Sequence, residues 1–190
     1  MSSACHYFAY GANMNRRVFV TRRGMRPLTV ETAVLEGWEL VFAHRGVPIV
    51  EPAFATIRRA PARVEGVLYR VDATELAELD RIELGYVSTD VLVAGARSGE
   101  VRARAYCARV ETAGLWPSRR YLALLVEGGR EAGLSAPYLE RLAAGPSVHV
   151  PILSALAGRA VPGVEELHRR GFEPLRWLAP LWWMMPGRKM

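Results

Sequence analysis

Glu83 stands apart from the other acids of this 190-residue chain. Between Asp72 and Gly85, Leu76, Leu79 and Ile82 recur at helical intervals, while Glu75 and Glu78 take the polar side. Glu83 lies four residues after Leu79 and seven after Leu76, so it falls on the apolar stripe. A helix that persists this far turns the carboxylate inward. Desolvation there raises a carboxyl pKa and suits it to acid/base work near neutral pH. The competing reading is an ion pair between Glu83 and one of the chain's many arginines.

A second candidate is the loop Tyr10-Gly11-Ala12-Asn13-Met14, which follows directly on an apolar run. Consecutive backbone N–H groups beside a glycine that allows close approach suit capture of a carboxylate or an oxyanion. An ordinary turn is the bland alternative. Other chemistries lose support because the chain has no G-x-G-x-x-G, Walker or G-x-S-x-G sequence. His6, His44, His149 and His168 are scattered without ligand spacing, so no metal centre is expected. Cys5 and Cys107 lie far apart with no C-x-x-C pattern. They fit unpaired thiols in a reducing, cytoplasmic setting, as does the lack of a signal-peptide pattern after Met1.

The elements that must position these residues read as follows. Ala4–Tyr10 is a strand broken by Gly11-Ala12-Asn13, and Leu35–Ala43, Ala53–Ile57 and Val64–Val71 are further strands. Asp72-Ala73-Thr74-Glu75 has capping-box spacing at the start of the helix that leads to Glu83. Val87–Val93 and Val101–Val110 form a hairpin about the glycine-containing turn Gly95–Gly99. A helix opens at Pro117 and closes at Gly133, and a short one follows near Ala136–Ala144. About six strands and three helices without β-α-β alternation predict an α+β fold, a mixed barrel or curled sheet.

Residues 146–190 differ in composition. Six prolines and three of the five tryptophans (Trp177, Trp182, Trp183) fall there. We read a domain over 1–145 and a Pro/Trp-rich C-terminal arm over 146–190. The arm packs back on the domain, closes it as a lid, forms a homodimer contact, or anchors on a membrane surface. The apolar stretch Pro174–Pro186 contains Arg176 and is too short for a bilayer, which takes ~20 residues, so no membrane span is expected.

The net charge of +6 comes from 25 basic residues, of which Lys189 alone is not arginine. The excess sits at the two ends, with residues 64–142 slightly acidic. Arg16-Arg17, Arg22-Arg23 and Arg58-Arg59 lack the interleaved aromatics of a stacking platform. They are read as solvated basic surface, and no nucleic-acid partner is expected.

Tyr7-Phe8-Ala9-Tyr10-Gly11-Ala12-Asn13-Met14 resembles the Y-F-A-Y-G-S-N-L/M opening of the γ-glutamylcyclotransferase family, which includes the plant avirulence-induced-gene-like proteins. The resemblance continues in order through Ala55-Thr56-Ile57, Gly66-Val67-Leu68-Tyr69, Leu79-Asp80-Arg81-Ile82-Glu83, Gly85-Tyr86, Tyr106, Pro117-Ser118 with Tyr121, and Glu131-Ala132-Gly133-Leu134 with Tyr138 and Leu142. It spans about residues 5–142.

The resemblance implies a small mixed β-barrel with flanking helices and no cofactor. It also implies a small-molecule γ-glutamyl substrate whose α-amine attacks its own γ-carbonyl, releasing 5-oxoproline and an amine. The family's acid/base glutamate falls on Glu83. Substrate contacts fall on Tyr7, Tyr10, Gly11, Ala12, Asn13, Met14, Tyr86 and Tyr106, with Tyr86 and Tyr106 orienting Glu83 or the substrate. Ala12 departs from the family serine. In an extended strand Tyr106 shares a face with Arg102 and Arg104, so either those arginines border the cavity or a bulge turns the tyrosine inward. Two alternatives stand beside this reading: the same chemistry on a γ-glutamyl-amine or a γ-glutamyl-protected biosynthetic intermediate, and a non-catalytic binding or assembly protein on the same fold.

Overall fold

The computed structural model describes residues 4–47 and 51–148. Five strands close into a barrel in the order β1-β3-β2-β4-β5. They are β1 (Ala4–Ala9), β2 (Thr29–Val47), β3 (Glu51–Asp72), β4 (Tyr86–Gly95) and β5 (Gly99–Ala108). Neighbours are antiparallel except β1 and β5, which meet in parallel where Tyr7 faces Arg104. The mixed barrel with flanking helices is therefore the observed fold.

Five strands replace the expected six because the prolines do not end them. Pro52 and Pro61 both lie inside β3, and Ala60-Pro61-Ala62 bulge opposite Gly37, where the β2–β3 register shifts between Glu36 and Trp38. Two long strands result where shorter ones were expected. Val64–Tyr69 is buried without alternation, whereas β4 buries Val91 and Val93 and exposes Asp90 and Leu92, as a strand covered on one face does.

Three helices flank the barrel: α1 (Ala73–Ile82), α2 (Arg119–Ala132) and α3 (Ala136–Ala143). Asp72 caps α1 by accepting the Thr74 N–H at 2.9 Å. The reciprocal bond of a capping box is not made, because Glu75 instead accepts the Arg26 amide at 2.9 Å. Helix α2 starts after Ser118 rather than at Pro117, since the serine hydroxyl accepts the Tyr121 amide. Gly133, at φ +88°, ends it in the left-handed region.

The segment after β1 is the main departure from expectation. A turn of 3₁₀ helix at Ala12–Met14 leads into a π-helical turn at Arg17–Arg22. Phe19 is fully buried there and stacks on Tyr69 at 4.1 Å between ring centroids. Helix α2 crosses this segment so closely that a Cβ on Gly128 would sit 2.5 Å from the Asn15 nitrogen. The C-terminal arm lies outside the described residues beyond Val148, whose backbone pairs with Pro117 and Arg119. Trp177, Trp182, Trp183, His149, His168 and the expected dimer contact fall in that part.

Candidate functional site

Helix α1 ends one residue earlier than the apolar stripe suggested, and Glu83 is its C-cap residue. Its amide still donates to Leu79 O at 3.0 Å, so the last turn carries the carboxylate into a cavity of about 340 Å³. Gly85, at φ +80°, then turns the chain into β4. A Cβ there would lie 2.6 Å from Cε1 of His44, so the glycine makes room for the imidazole.

The opening loop meets Glu83 from β1. Met14 N–H closes the 3₁₀ turn on Gly11 O at 3.0 Å, and Asn15 N–H closes on Ala12 O at 3.1 Å. That turn aims Asn13 at the carboxylate. Its Nδ2 donates to Glu83 Oε1 at 2.9 Å and to the Tyr7 hydroxyl at 2.7 Å. Tyr69 donates to Asn13 O at 3.0 Å and holds the loop against the barrel.

Arg23 reaches the same oxygen. The π-helical turn, anchored by Phe19, brings the guanidinium within 3.3 Å of Glu83 Oε1, with the two side chains 14% and 12% exposed. The inward carboxylate and the arginine-paired carboxylate, posed above as competitors, describe one side chain. Burial and the charge of Glu83 push the Tyr7 hydroxyl well above the usual tyrosine range. Burial pulls His44 below its ordinary value, against the opposing pull of Glu83.

Tyr7, Tyr10, Gly11, Ala12, Asn13, Glu83, Tyr86 and Tyr106 all line this cavity. Met14 does not. The 3₁₀ turn rotates its side chain into the core, where it is 2% exposed, and uses up its amide. Tyr86 and Tyr106 do not reach Glu83 with their hydroxyls. Tyr86 donates to Ala55 O at 2.8 Å and Tyr106 to Asp80 Oδ1 at 2.7 Å. The Tyr10 hydroxyl donates to the Tyr106 carbonyl.

The strand register resolves the question of the β5 arginines. Tyr7 faces Tyr69 across one strand pair and Arg104 across the other, so Tyr106 and Arg104 share a face without a bulge. Arg104 is drawn aside by Asp80 at 2.9 Å, and the arginines at the cavity are Arg22, Arg23 and Arg120.

The other end of the cavity is built from β3 and α2. Glu51, 4% exposed, accepts Ser118 N–H at 2.9 Å, Ser118 Oγ–H at 2.6 Å and Arg120 Nη2–H at 2.9 Å. Burial nonetheless pushes the Glu51 carboxyl up. Between the two acids stands Tyr121, whose hydroxyl accepts the Ala55 amide at 3.3 Å and whose pKa is raised by burial, then by Glu51 and Glu83.

Arg23, Glu51 and Tyr121 were not among the expected site residues. Arg22-Arg23 read as surface because a π-helical turn has no sequence signature. Tyr121 entered only as one of the residues carrying the resemblance, with no role at the site.

Comparison with known proteins places these residues in context. Residues 63–142 match the AIG2-like family. The γ-glutamyl cyclotransferase aclK of Aspergillus oryzae is 25% identical over 161 residues, covering 72% of this chain and 59% of that protein. The γ-glutamyl cyclotransferase gliK of Claviceps purpurea is 29% identical over 153 residues, covering 70% and 66%. A solved structure of a γ-glutamyl cyclotransferase superposes with a TM-score of 0.67 at 26% identity, covering 77% of this chain and 90% of that one. The chain is thus similar to γ-glutamyl cyclotransferases in sequence and in fold. It spans less than two thirds of the length of the two curated relatives.

Ala12, which stands where the resemblance noted above has serine, brings no hydroxyl to the opening loop. The Tyr121 hydroxyl lies beside it, 3.3 Å from the position a Gly11 Cβ would occupy, and accepts the Ala55 amide.

Proposed function

We propose that this protein is a γ-glutamyl cyclotransferase. Its substrate's α-amine attacks the γ-carbonyl carbon, the bond to the departing nitrogen breaks, and a five-membered lactam forms. The observation that carries the reading is the Glu83 carboxylate at the end of α1, held by Asn13 of the opening loop inside a cavity both elements line. Ring closure needs a neutral amine, a place for the oxygen charge and a proton for the leaving nitrogen. Glu83 takes a proton from the α-ammonium and delivers one to the departing amine. The loop amides from Gly11 to Asn13 serve the charged oxygens, while that of Met14 is committed to the 3₁₀ turn.

The groups around Glu51, Arg120 and Tyr121 are positioned for the leaving portion of the substrate, so the identity of that amine is sought there. No cofactor has a part in this chemistry. We assign it to the domain 1–145, with 146–190 as an extension.

Incubation with a panel of γ-glutamyl amino acids, γ-glutamyl-amines and larger γ-glutamyl amides should release 5-oxoproline from at least one. Glu83→Gln should lower that release by ~10²–10⁴-fold while the protein stays folded. Full release by Glu83→Gln would remove Glu83 from the mechanism. No release from any compound would favour the binding-protein alternative.

A further inference from the structure

Two polar atoms beside Glu83 are buried and find no hydrogen-bond partner among the described residues: Nε of Arg23, a donor, and Oδ1 of Asn13, an acceptor. Asn13 is 5% exposed. Its orientation is set by its neighbours, because exchanging the amide atoms would point a carbonyl oxygen at the Glu83 carboxylate. Arg23 Nη2 and Asn13 Nδ2 both contact Glu83 Oε1, at 3.3 and 2.9 Å, so the two side chains flank one carboxylate oxygen. Buried polar groups are normally satisfied, and two orphans of opposite sense on side chains that flank one carboxylate suit a ligand that both donates and accepts.

We propose that Arg23 and Asn13 form the head-group site of the substrate, the Arg23 guanidinium taking the α-carboxylate and the Asn13 side-chain carbonyl taking the α-ammonium beside Glu83. This rests on the cyclotransferase reading and assigns it two binding residues. A group carrying an ammonium and a carboxylate on one carbon meets both orphans and matches the charge of each side of the site. A simple anion placed on Arg23 would face Glu83 and the Asn13 carbonyl unfavourably, and a simple amine would leave Arg23 Nε unmet.

The guanidinium suits the task. With Nη2 turned toward Glu83, the Nε edge still presents a directed donor to a second carboxylate. The Asn13 carbonyl then holds the amine that becomes the nucleophile. As the new C–N bond forms and the bond to the leaving nitrogen breaks, the ammonium gives up two protons in all, and the leaving amine departs with both. The loop amides are left for the oxygen of the γ-carbonyl, so carboxylate and oxyanion are held by different groups.

Removing the α-carboxylate from the substrate tests this. The γ-glutamyl compound turned over best is compared with its 4-aminobutanoyl counterpart, which has the same leaving amine and closes to 2-pyrrolidinone. The unaltered protein should prefer the γ-glutamyl compound by roughly 10- to 100-fold in kcat/KM, the scale of a charged hydrogen bond. Arg23→Gln should collapse that preference toward unity, and Arg23→Lys should keep part of it.

Both compounds are read on one preparation, so any loss of folded protein cancels. Equal losses on both compounds in Arg23→Gln, with the preference kept, would overturn the assignment and leave Arg23 as a group that positions Glu83. An unaltered protein that shows no preference would overturn it as well. If the unaltered protein turned over no γ-glutamyl compound at all, the cyclotransferase reading itself would fail.

Discussion

At the residue scale, the site is an arrangement of shared contacts around Glu83, and its pH response follows from its neighbours. His44 is partly buried, with its ring 4.2 Å from that of Tyr86. Burial lowers its pKa from the ordinary 6.5, so the folded state favours the neutral ring. Stability from this group is complete above the unfolded value and is lost as pH falls through the lower folded value. The melting temperature should therefore drop on acidification below about 6.5, and His44→Gln should reduce that drop. Equal slopes in the two proteins would show that His44 is not responsible. Glu51 acts in the opposite sense, because its raised carboxyl favours the folded state when protonated, so the His44 contribution is read as the difference between the proteins.

At the scale of elements, two glutamates of β3 fasten two helices to the barrel by the same device. Glu51 receives the amide and hydroxyl of Ser118, the N-cap of α2, and Glu65 receives those of Ser135, the N-cap of α3, at 2.8 and 2.6 Å. Each serine oxygen also accepts an amide of its own helix, so one residue ends the loop and ties the helix down.

The turn between α1 and β4 depends on Gly85 in a similar way, since it sets both Glu83 and Tyr86. Gly85→Ala places a side chain at positive φ, costing about 1–2 kcal/mol, and drives a methyl into the His44 ring. For a chain of this size that is a fall of roughly 2–8 °C in melting temperature, accompanied by a loss of turnover. A variant with unchanged melting temperature and turnover would refute the steric argument.

At the scale of the whole molecule, the buried residues run from Tyr7 to Leu142, and the chain beyond α3 returns to the start of α2. Val148 donates to Pro117 O at 2.9 Å and accepts the Arg119 amide at 2.9 Å, immediately beside the Ser118–Glu51 contact. The extension therefore begins at the Glu51 end of the cavity. A chain ending at Ala144 loses these two bonds, worth about 1 kcal/mol each. It should remain folded and melt a few degrees lower. Failure to fold would move the domain boundary beyond 145. Gel filtration of the same pair reports whether 146–190 carries a contact between copies.

Hydrophobic periodicity and caps were enough to place α1, the β4–β5 hairpin, α2 and α3 within a few residues, because each is decided by neighbours in the chain. The same local pattern turned Glu83 inward, and the glycine-containing opening loop was legible as a turn that could present amides. Merging of two expected strands into β3 was not legible: whether Pro52 and Pro61 interrupt a ladder depends on the partner strand's bulge at Gly37. Nor was the partner of Glu83. Local spacing determined that a carboxylate would be buried and that arginines were plentiful. Only the tertiary structure decided that Arg23 meets it, because that pairing depends on Phe19 stacking on Tyr69, a contact between residues fifty positions apart.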